Sequence, residues 1–523
     1  MKQVPVLVCS LAWLGLTASL SLLAADGPGA APASRKNLFV GFKERPTPAQ
    51  ERLLESHGAR IRSVFANVKA IAIDLDEARI GDVARAQGVD YVEEDPMRYK
   101  LGLGDAQLVP SLANGLYGLL TTKATAAHVA GITGTTVKVG VADTSLDYTH
   151  PDIAGNYASG TDTVGDGDDD PINDDGETHG THVAGTILAV NNSVGVRGVA
   201  YGAKLYHARV LGPNGGTTTD IMEGVRWLVV TQGCHIVNLS LGGGLSSRTE
   251  ENFYKDMRAT YGALVVAATG NDGRTRLSFP AAYAVNIAVG AVDVNNALAS
   301  FSNTGKNIDV VAPGVGILSS VPIGTGSEAG VTVGLTSYRA FGMEFAARTT
   351  PDYTATLVNC GRGQLTDFTN AAPAGFVALI ERGDIDFATK AANAKTQGAG
   401  AVIIYNNVAG DFIGTLGAAG SWLPTVSVSQ ATGTALKGTL GSPATVLNLV
   451  SNWDHYDGTS MATPHTAGVL ALILEARKLT VRNKANADAA ENFLKSSCLN
   501  LGPAGYDTTF GSGLVQAPTV RLP

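Results

Sequence analysis

The sequence predicts an α/β protein: a doubly wound, mostly parallel sheet flanked by helices, with a small α+β unit before it and a β-rich α/β insert within it. Three observations carry this. From Thr136 onward, short apolar runs recur at 137–142, 205–210, 236–239, 264–268 and 287–291. Helical patterns at 181–190 and 219–230 lie between several of them, and strands apolar on both faces alternating with helices imply a parallel sheet covered on both sides. Finally, 45% hydrophobic and 16% charged residues support a real core, and 523 residues exceed one ordinary domain.

The elements follow in order. Lys2, an apolar stretch over 6–23 and small residues at Ala24 and Ala25 read as an export signal over 1–25, with a membrane anchor as the alternative. No cysteine follows the cleavage region, which excludes a lipoprotein. Residues 26–34 form a Gly/Ala/Pro linker. The α+β unit, 36–98, comprises strands over 37–42, 68–75 and 89–93 and helices over 47–57 and 77–86, the first with Pro48 near its start. An irregular connector spans 100–111. The large domain occupies 112–323 and 453–523, resuming with a helix over 461–476. Between its parts, 324–452 is an insert with strands over 376–380 and 401–405 and a helix over 386–396. There are no internal repeats.

The net charge is −8, from 38 basic and 46 acidic residues. Residues 1–110 hold 13 of each, so the acidic excess lies later. Residues 162–177 hold Asp162, Asp166, Asp168, Asp169, Asp170, Asp174, Asp175 and Glu177 and no base. No basic stripe is present, which excludes nucleic acid as a partner. Cys234, Cys360 and Cys498 follow the signal, so at most one internal disulfide forms, Cys234 with Cys498 the favoured pair.

Ligands of a doubly wound sheet sit off the carboxyl ends of its strands. Asp143 ends the apolar run 137–142; His179 opens a helix in His-Gly-Thr-His-Val-Ala-Gly; Ser460 opens another in Gly-Thr-Ser-Met-Ala-Thr-Pro-His. Singly, these read as a turn acid, a weak metal-ligand pair with His182, and an N-cap. Together, in the order Asp, His, Ser, they form the set a serine nucleophile needs: a base to take its proton and an acid to orient that base.

These motifs resemble the subtilisin (subtilase) family of serine endopeptidases over 117–323 and 452–520. The resemblance implies Ser460 as nucleophile, His179 as general base and acid, and Asp143 as its orienting carboxylate. It places Asn271, in Thr269-Gly270-Asn271, in an oxyanion hole with the Ser460 N–H. Ser240, Leu241, Gly242 and Gly243 are expected to pair with substrate as an added strand. Ser278 stands where the first pocket's floor often has Gly. One structural calcium is implied, on Asp152, the Asn192 side chain and the carbonyls of Val190, Val194 and Val196. The family's amino-terminal amide ligand falls at Ala113, and a loop held without metal is the alternative. The acidic loop is either a second calcium site or a solvated loop. Asp143-Thr144-Ser145 departs from the family's usual Gly at the third position, where Ser tolerates positive φ less readily.

Residues 37–98 resemble an inhibitory propeptide, and the insert a protease-associated (PA) domain, with a passive spacer as its alternative reading. The expectation is therefore a secreted, calcium-stabilised serine endopeptidase, made as a self-processing zymogen with the cut between about residues 99 and 112. It acts on proteins or peptides as a monomer, with its own propeptide as intramolecular inhibitor, no organic cofactor, and no membrane partner after signal removal. Two other classes fit the motifs less well. An inactive binding module has no need of Asp143, His179, Asn271 and Ser460 together. An esterase would favour a G-x-S-x-G elbow, which the serine motif is not.

Overall fold

The computed structural model describes residues 34–101, 116–164, 169–172, 175–368, 372–408, 410, 412, 414–418 and 420–521. The expected export signal, Ala113 and Asp166, Asp168 and Asp174 lie outside the described residues. The chain divides into two compact units, Met1–Pro96 with Ser247–Phe253, and Met97–Ser246 with Tyr254–Pro523.

The first unit contains β1 (Arg35–Phe42), β2 (Arg60–Phe65), β3 (Ala70–Asp76) and β4 (Val89–Glu94). They form an antiparallel sheet in the order β2-β3-β1-β4. Period-two alternation places Leu38, Val40, Ile71, Ile73 and Leu75 in one core with Leu54 of the helix Pro48–Ser56. Thr47 and Gln50 form a capping box at that helix's start. The helix expected over 77–86 is shorter: a 3₁₀ turn Glu77–Arg79 capped by Asp76, then Ile80–Ala84. The Glu93 carboxylate accepts from the Thr249 N–H at 2.8 Å, the Ser247 hydroxyl at 2.9 Å and the Arg248 N–H at 3.1 Å.

In the second unit, β5 (Met97–Lys100) is followed by β6 (Lys138–Asp143), β7 (Tyr157–Asp162), β8 (Lys204–Arg209), β9 (Gly216–Thr217), β10 (Ile236–Leu239) and β11 (Leu241–Gly242). Then come β12 (Leu264–Ala268), β13 (Ile287–Val292), β14 (Val310–Pro313) and β15 (Ile317–Ser320). Seven of these form one sheet, in the order β14-β13-β12-β10-β6-β8-β7. Every neighbouring pair in it is parallel. The strand order reverses at β6, between β10 and β8, which opens a crevice at the carboxyl ends of β6, β10 and β12. The helix Thr459–Ala476 is buried along its whole length. It is apolar nearly all round, as a helix threaded through a core must be.

The insert holds β16 (Gly326–Val333), β17 (Thr336–Arg339), β18 (Phe341–Gly342), β19 (Tyr353–Asn359), β20 (Val377–Glu381), β21 (Ala401–Tyr405), β22 (Thr425–Val428) and β23 (Pro443–Ser451). They make a mixed sheet, β17-β16-β23-β19-β20-β21-β22-β18, with its own apolar clusters. The two ends of the insert meet: β15 pairs antiparallel with β24 (Trp453–Tyr456), and the Val321 N–H donates to the Asn452 carbonyl at 2.9 Å.

The favoured Cys234–Cys498 disulfide does not form. Cys234, Cys360 and Cys498 are all free thiols, and Cys498 Sγ instead donates to the Leu494 carbonyl at 3.2 Å.

Candidate active site

Asp143 is the last residue of β6 and is fully buried. Its Oδ1 accepts from the Thr144 N–H at 2.8 Å and lies 2.6 Å from His179 Nδ1. A carboxylate only accepts, so Nδ1 carries the proton and Nε2 is the basic nitrogen. His179 Nε2 is buried and has no hydrogen-bond partner among the described residues. The helix His179–Leu188 starts close against β6: a Cβ on Gly180 would lie 2.5 Å from the Ser145 carbonyl, so the residue after the histidine must be glycine. Thr144 Oγ1 accepts the Gly180 N–H at 2.9 Å. Ser145 does not adopt positive φ. Its hydroxyl donates to Asp175 at 2.8 Å, so the departure from Gly costs the turn nothing.

Ser460 stands at the amino end of its buried helix, after Gly458 at φ +148°. Its hydroxyl donates to the Ser240 carbonyl at 2.8 Å, and the Ser240 hydroxyl donates back to the Ser460 carbonyl at 2.8 Å. A His179–Ser460 hydrogen bond is therefore not formed in this arrangement; such bonds often tighten only with substrate in place.

Asn271 follows β12. Its Oδ1 accepts from the Thr459 N–H at 2.9 Å and the Thr459 hydroxyl at 2.8 Å. Two donors on one amide oxygen fix the other end as NH2. That Nδ2 donates to the carbonyl of Leu101.

Leu101 ends a segment that behaves as a bound peptide. β5 pairs antiparallel with β11, Lys100 opposite Leu241 and Tyr99 opposite Gly242, and on its other side with β9. The Leu101 N–H donates to the Ser240 carbonyl at 3.3 Å. A Cβ on Gly242 would lie 2.9 Å from Leu101 Cδ1 and 3.0 Å from Ser278 Cβ, so the Leu101 side chain and Ser278 share one pocket. The sequence carries no strand signal over Met97–Lys100, because the pairing partners of this strand are distant in sequence.

Two further residues were missed. Tyr456 stacks on His182, centroids 4.3 Å apart, and its hydroxyl lies 2.6 Å from that of Thr178, next to His179. His182 bonds the carbonyls of Ile317 and Asp454 through Nε2, and burial pushes its pKa down to about 3, so it is neutral. Trp453 reaches Asp152. Both lie just before the serine motif, in a stretch that showed no periodic signal.

The residues implied for calcium do not fit a cation. The buried Asp152 carboxylate accepts from Trp453 Nε1 at 2.6 Å, Asn192 Nδ2 at 3.0 Å, and the Val196 N–H and Ser320 hydroxyl at 3.2 Å each. Asn192 Oδ1 is taken by the Val194 N–H at 2.9 Å and the Val190 carbonyl by the Asn192 N–H at 3.0 Å. Donor hydrogens converge where a calcium site needs bare oxygens. The reason is tertiary: Trp453 arrives from β24 and its ring lies against Gly195, where a Cβ would meet it at 2.1 Å. Among the described residues no group of three or more His, Cys, Asp or Glu side chains is placed to hold a metal. In the acidic loop, Arg209 pairs with Asp162 and, at 2.7 Å, with Asp175. Tyr148 donates to Asp170 at 3.0 Å.

Comparison with known proteins gives the family. The model of the subtilase family (Peptidase S8) matches residues 134–345 and 424–513, and that of the PA domain matches 353–436. Subtilisin E of Bacillus subtilis (strain 168) is 38% identical over 318 residues, 59% of this chain and 79% of that protein. Subtilisin BL of Lederbergia lenta is 46% identical over 218 residues, 42% of this chain and 76% of that protein. The crystal structure of the psychrophilic subtilisin-like protease Apa1 from Pseudoalteromonas sp. AS-11 aligns with a TM-score of 0.57 at 31% identity, covering 77% of this chain and 95% of that one. Fervidolysin from Fervidobacterium pennivorans shares the fold, with a TM-score of 0.58 at 21% identity over 92% of this chain and 60% of that one. With more than half its length matched by the family model, the chain belongs to the subtilase family of serine endopeptidases and carries an inserted PA domain.

Proposed function

We propose that this endopeptidase is exported as a zymogen, cuts its own chain after Leu101, and then hydrolyses protein substrates through an acyl-enzyme on Ser460. The observation that carries this is Leu101: its carbonyl receives the Asn271 amide while the residues before it lie along β11 as a substrate strand. The cut falls within the expected window of 99 to 112.

The residues have these roles. The Ser460 hydroxyl turns from the Ser240 carbonyl to His179 Nε2, which takes its proton as Oγ attacks the Leu101 carbonyl carbon. Asp143 holds the Nδ1–H and stabilises the imidazolium. The oxyanion is held by Asn271 Nδ2 and the Ser460 N–H at the helix start. His179 then gives its proton to the leaving amine, and water repeats the sequence on the acyl-enzyme. Substrate proteins bind along Ser240–Gly243, the first side chain before the cut entering the pocket beside Ser278. Calcium has no part in this proposal, because the Asp152 carboxylate is already met by four donors. Export rests on Lys2 and the apolar stretch 6–23; among the described residues no helix is long and apolar enough to cross a membrane.

The test is the intact mass and N-terminal sequence of the secreted product, for wild type and Ser460→Ala. The wild type is expected to begin at Gly102 and the variant to keep the preceding segment. Equal masses at full length overturn the self-processing reading. Equal trimming of both assigns the cut to another protease.

A further inference from the structure

We infer that Glu177 makes the cleft selective for a basic residue at the second position before the cut. This rests on the reading of Met97–Leu101 as a substrate strand. In that register Lys100 is the second residue before the bond after Leu101, and its ammonium pairs with the Glu177 carboxylate. The Glu177 side chain is only 12% exposed and that of Lys100 42%. A carboxylate so far removed from water favours a cation and opposes an acid beside it.

Glu177 is held by its own loop. Its N–H donates to Asp175 Oδ1 at 3.0 Å, and Asp175 is tied to the Ser145 hydroxyl at 2.8 Å and to Arg209 at 2.7 Å. Arg209 also pairs with Asp162. Asp162 and Asp175 thus share a cation from the folded domain. The cation on Glu177 comes from Lys100, which leaves with the segment that a cut after Leu101 releases. What remains is a carboxylate without its cation, two residues before His179 and facing the substrate strand. A second observation on the same strand agrees. Arg98 is wholly buried, and a Cβ on Gly243 would lie 3.2 Å from its Nη1, whereas Tyr99 between the two basic residues is exposed. Arg98-Tyr99-Lys100-Leu101 is therefore a template for the preferred substrate, with its basic side chains engaged.

The test uses the processed enzyme and internally quenched peptides with the sequence Arg-Tyr-X-Leu before the cut, X being lysine, alanine or glutamate. The wild type should cleave the lysine peptide about ten-fold better in kcat/KM than the alanine peptide, with glutamate last. The advantage should shrink as salt rises. Glu177→Gln should remove most of the lysine advantage, and Glu177→Lys should place glutamate above lysine. A wild-type order indifferent to X, or an order unchanged in Glu177→Gln, overturns the inference even if Glu177→Lys fails to fold. Cleavage of none of the peptides by a mature enzyme that also fails on casein overturns instead the function proposed above.

Discussion

At the scale of single residues, Asn271 shows how a side chain is aimed before substrate arrives. Its oxygen is held by two donors from Thr459, so its NH2 points into the cleft at no reorganisation cost during reaction. Asn271→Ala should lower kcat by about 10²–10³, roughly 3–4 kcal/mol of transition-state stabilisation, with little change in KM. Steady-state kinetics on one peptide decides this; a loss confined to KM would mean that Asn271 only binds. Ser145 makes a different point. The sequence suggested strain where Gly is usual, but the backbone there is ordinary and the hydroxyl has a partner in Asp175. No local rule could reveal that partner, 30 residues away.

Among the elements, β24 does more than close the insert. Trp453 braces Asp152 and the loop 190–196, and Tyr456 supports the turn that presents His179. The helix and the loop are therefore held from the strand that follows the insert and pairs with β15. Trp453→Phe removes the N–H, leaving a buried carboxylate short of a donor. It should destabilise the protein by about 1–3 kcal/mol. Because donors, not a cation, satisfy Asp152, a chelator should leave the wild-type Tm unmoved. Thermal unfolding with and without chelator checks both statements; a large fall in Tm on chelation would restore calcium to this loop.

For the whole molecule, the buried histidines govern acid stability. Burial holds His182 and His455 at about 3, and His207 and His465 at about 4, below the ordinary 6.5. The unfolded chain binds protons on them first, so their contribution is complete above about pH 6.5 and is lost as pH falls toward 4. Each costs roughly 1.4 kcal/mol per pH unit in that window. Asp454 acts in the opposite sense: burial raises its pKa to about 6, so its contribution is lost as pH rises through 6. Four histidines outweigh one carboxyl, and the urea midpoint should fall from pH 7 to pH 5. An unchanged or higher midpoint at pH 5 would refute this.

Legibility differed by region for physical reasons. The central strands were plain because each is a continuous apolar run buried on both faces; the expected 236–239 and 264–268 coincide with β10 and β12. The strand β5 was not, since Met97–Lys100 has two charged residues and gains its identity from β9 and β11. The same holds for β24, whose residues carry no alternation and are ordered by β15.

Motif and periodicity were enough to read a carboxylate, an imidazole and a hydroxyl at the ends of apolar elements, an amide after another strand, and a sheet class that brings such ends together. These are local signals, written in motif and periodicity. The partners of those residues came instead from the fold. Donors from Trp453 and Ser320 replace the expected cation on Asp152, Lys100 meets Glu177, and Leu101 reaches Asn271. Each of these pairs joins residues far apart in the chain, and hydrogen bonds and ion pairs are selected by distance and direction in space, which no local pattern encodes.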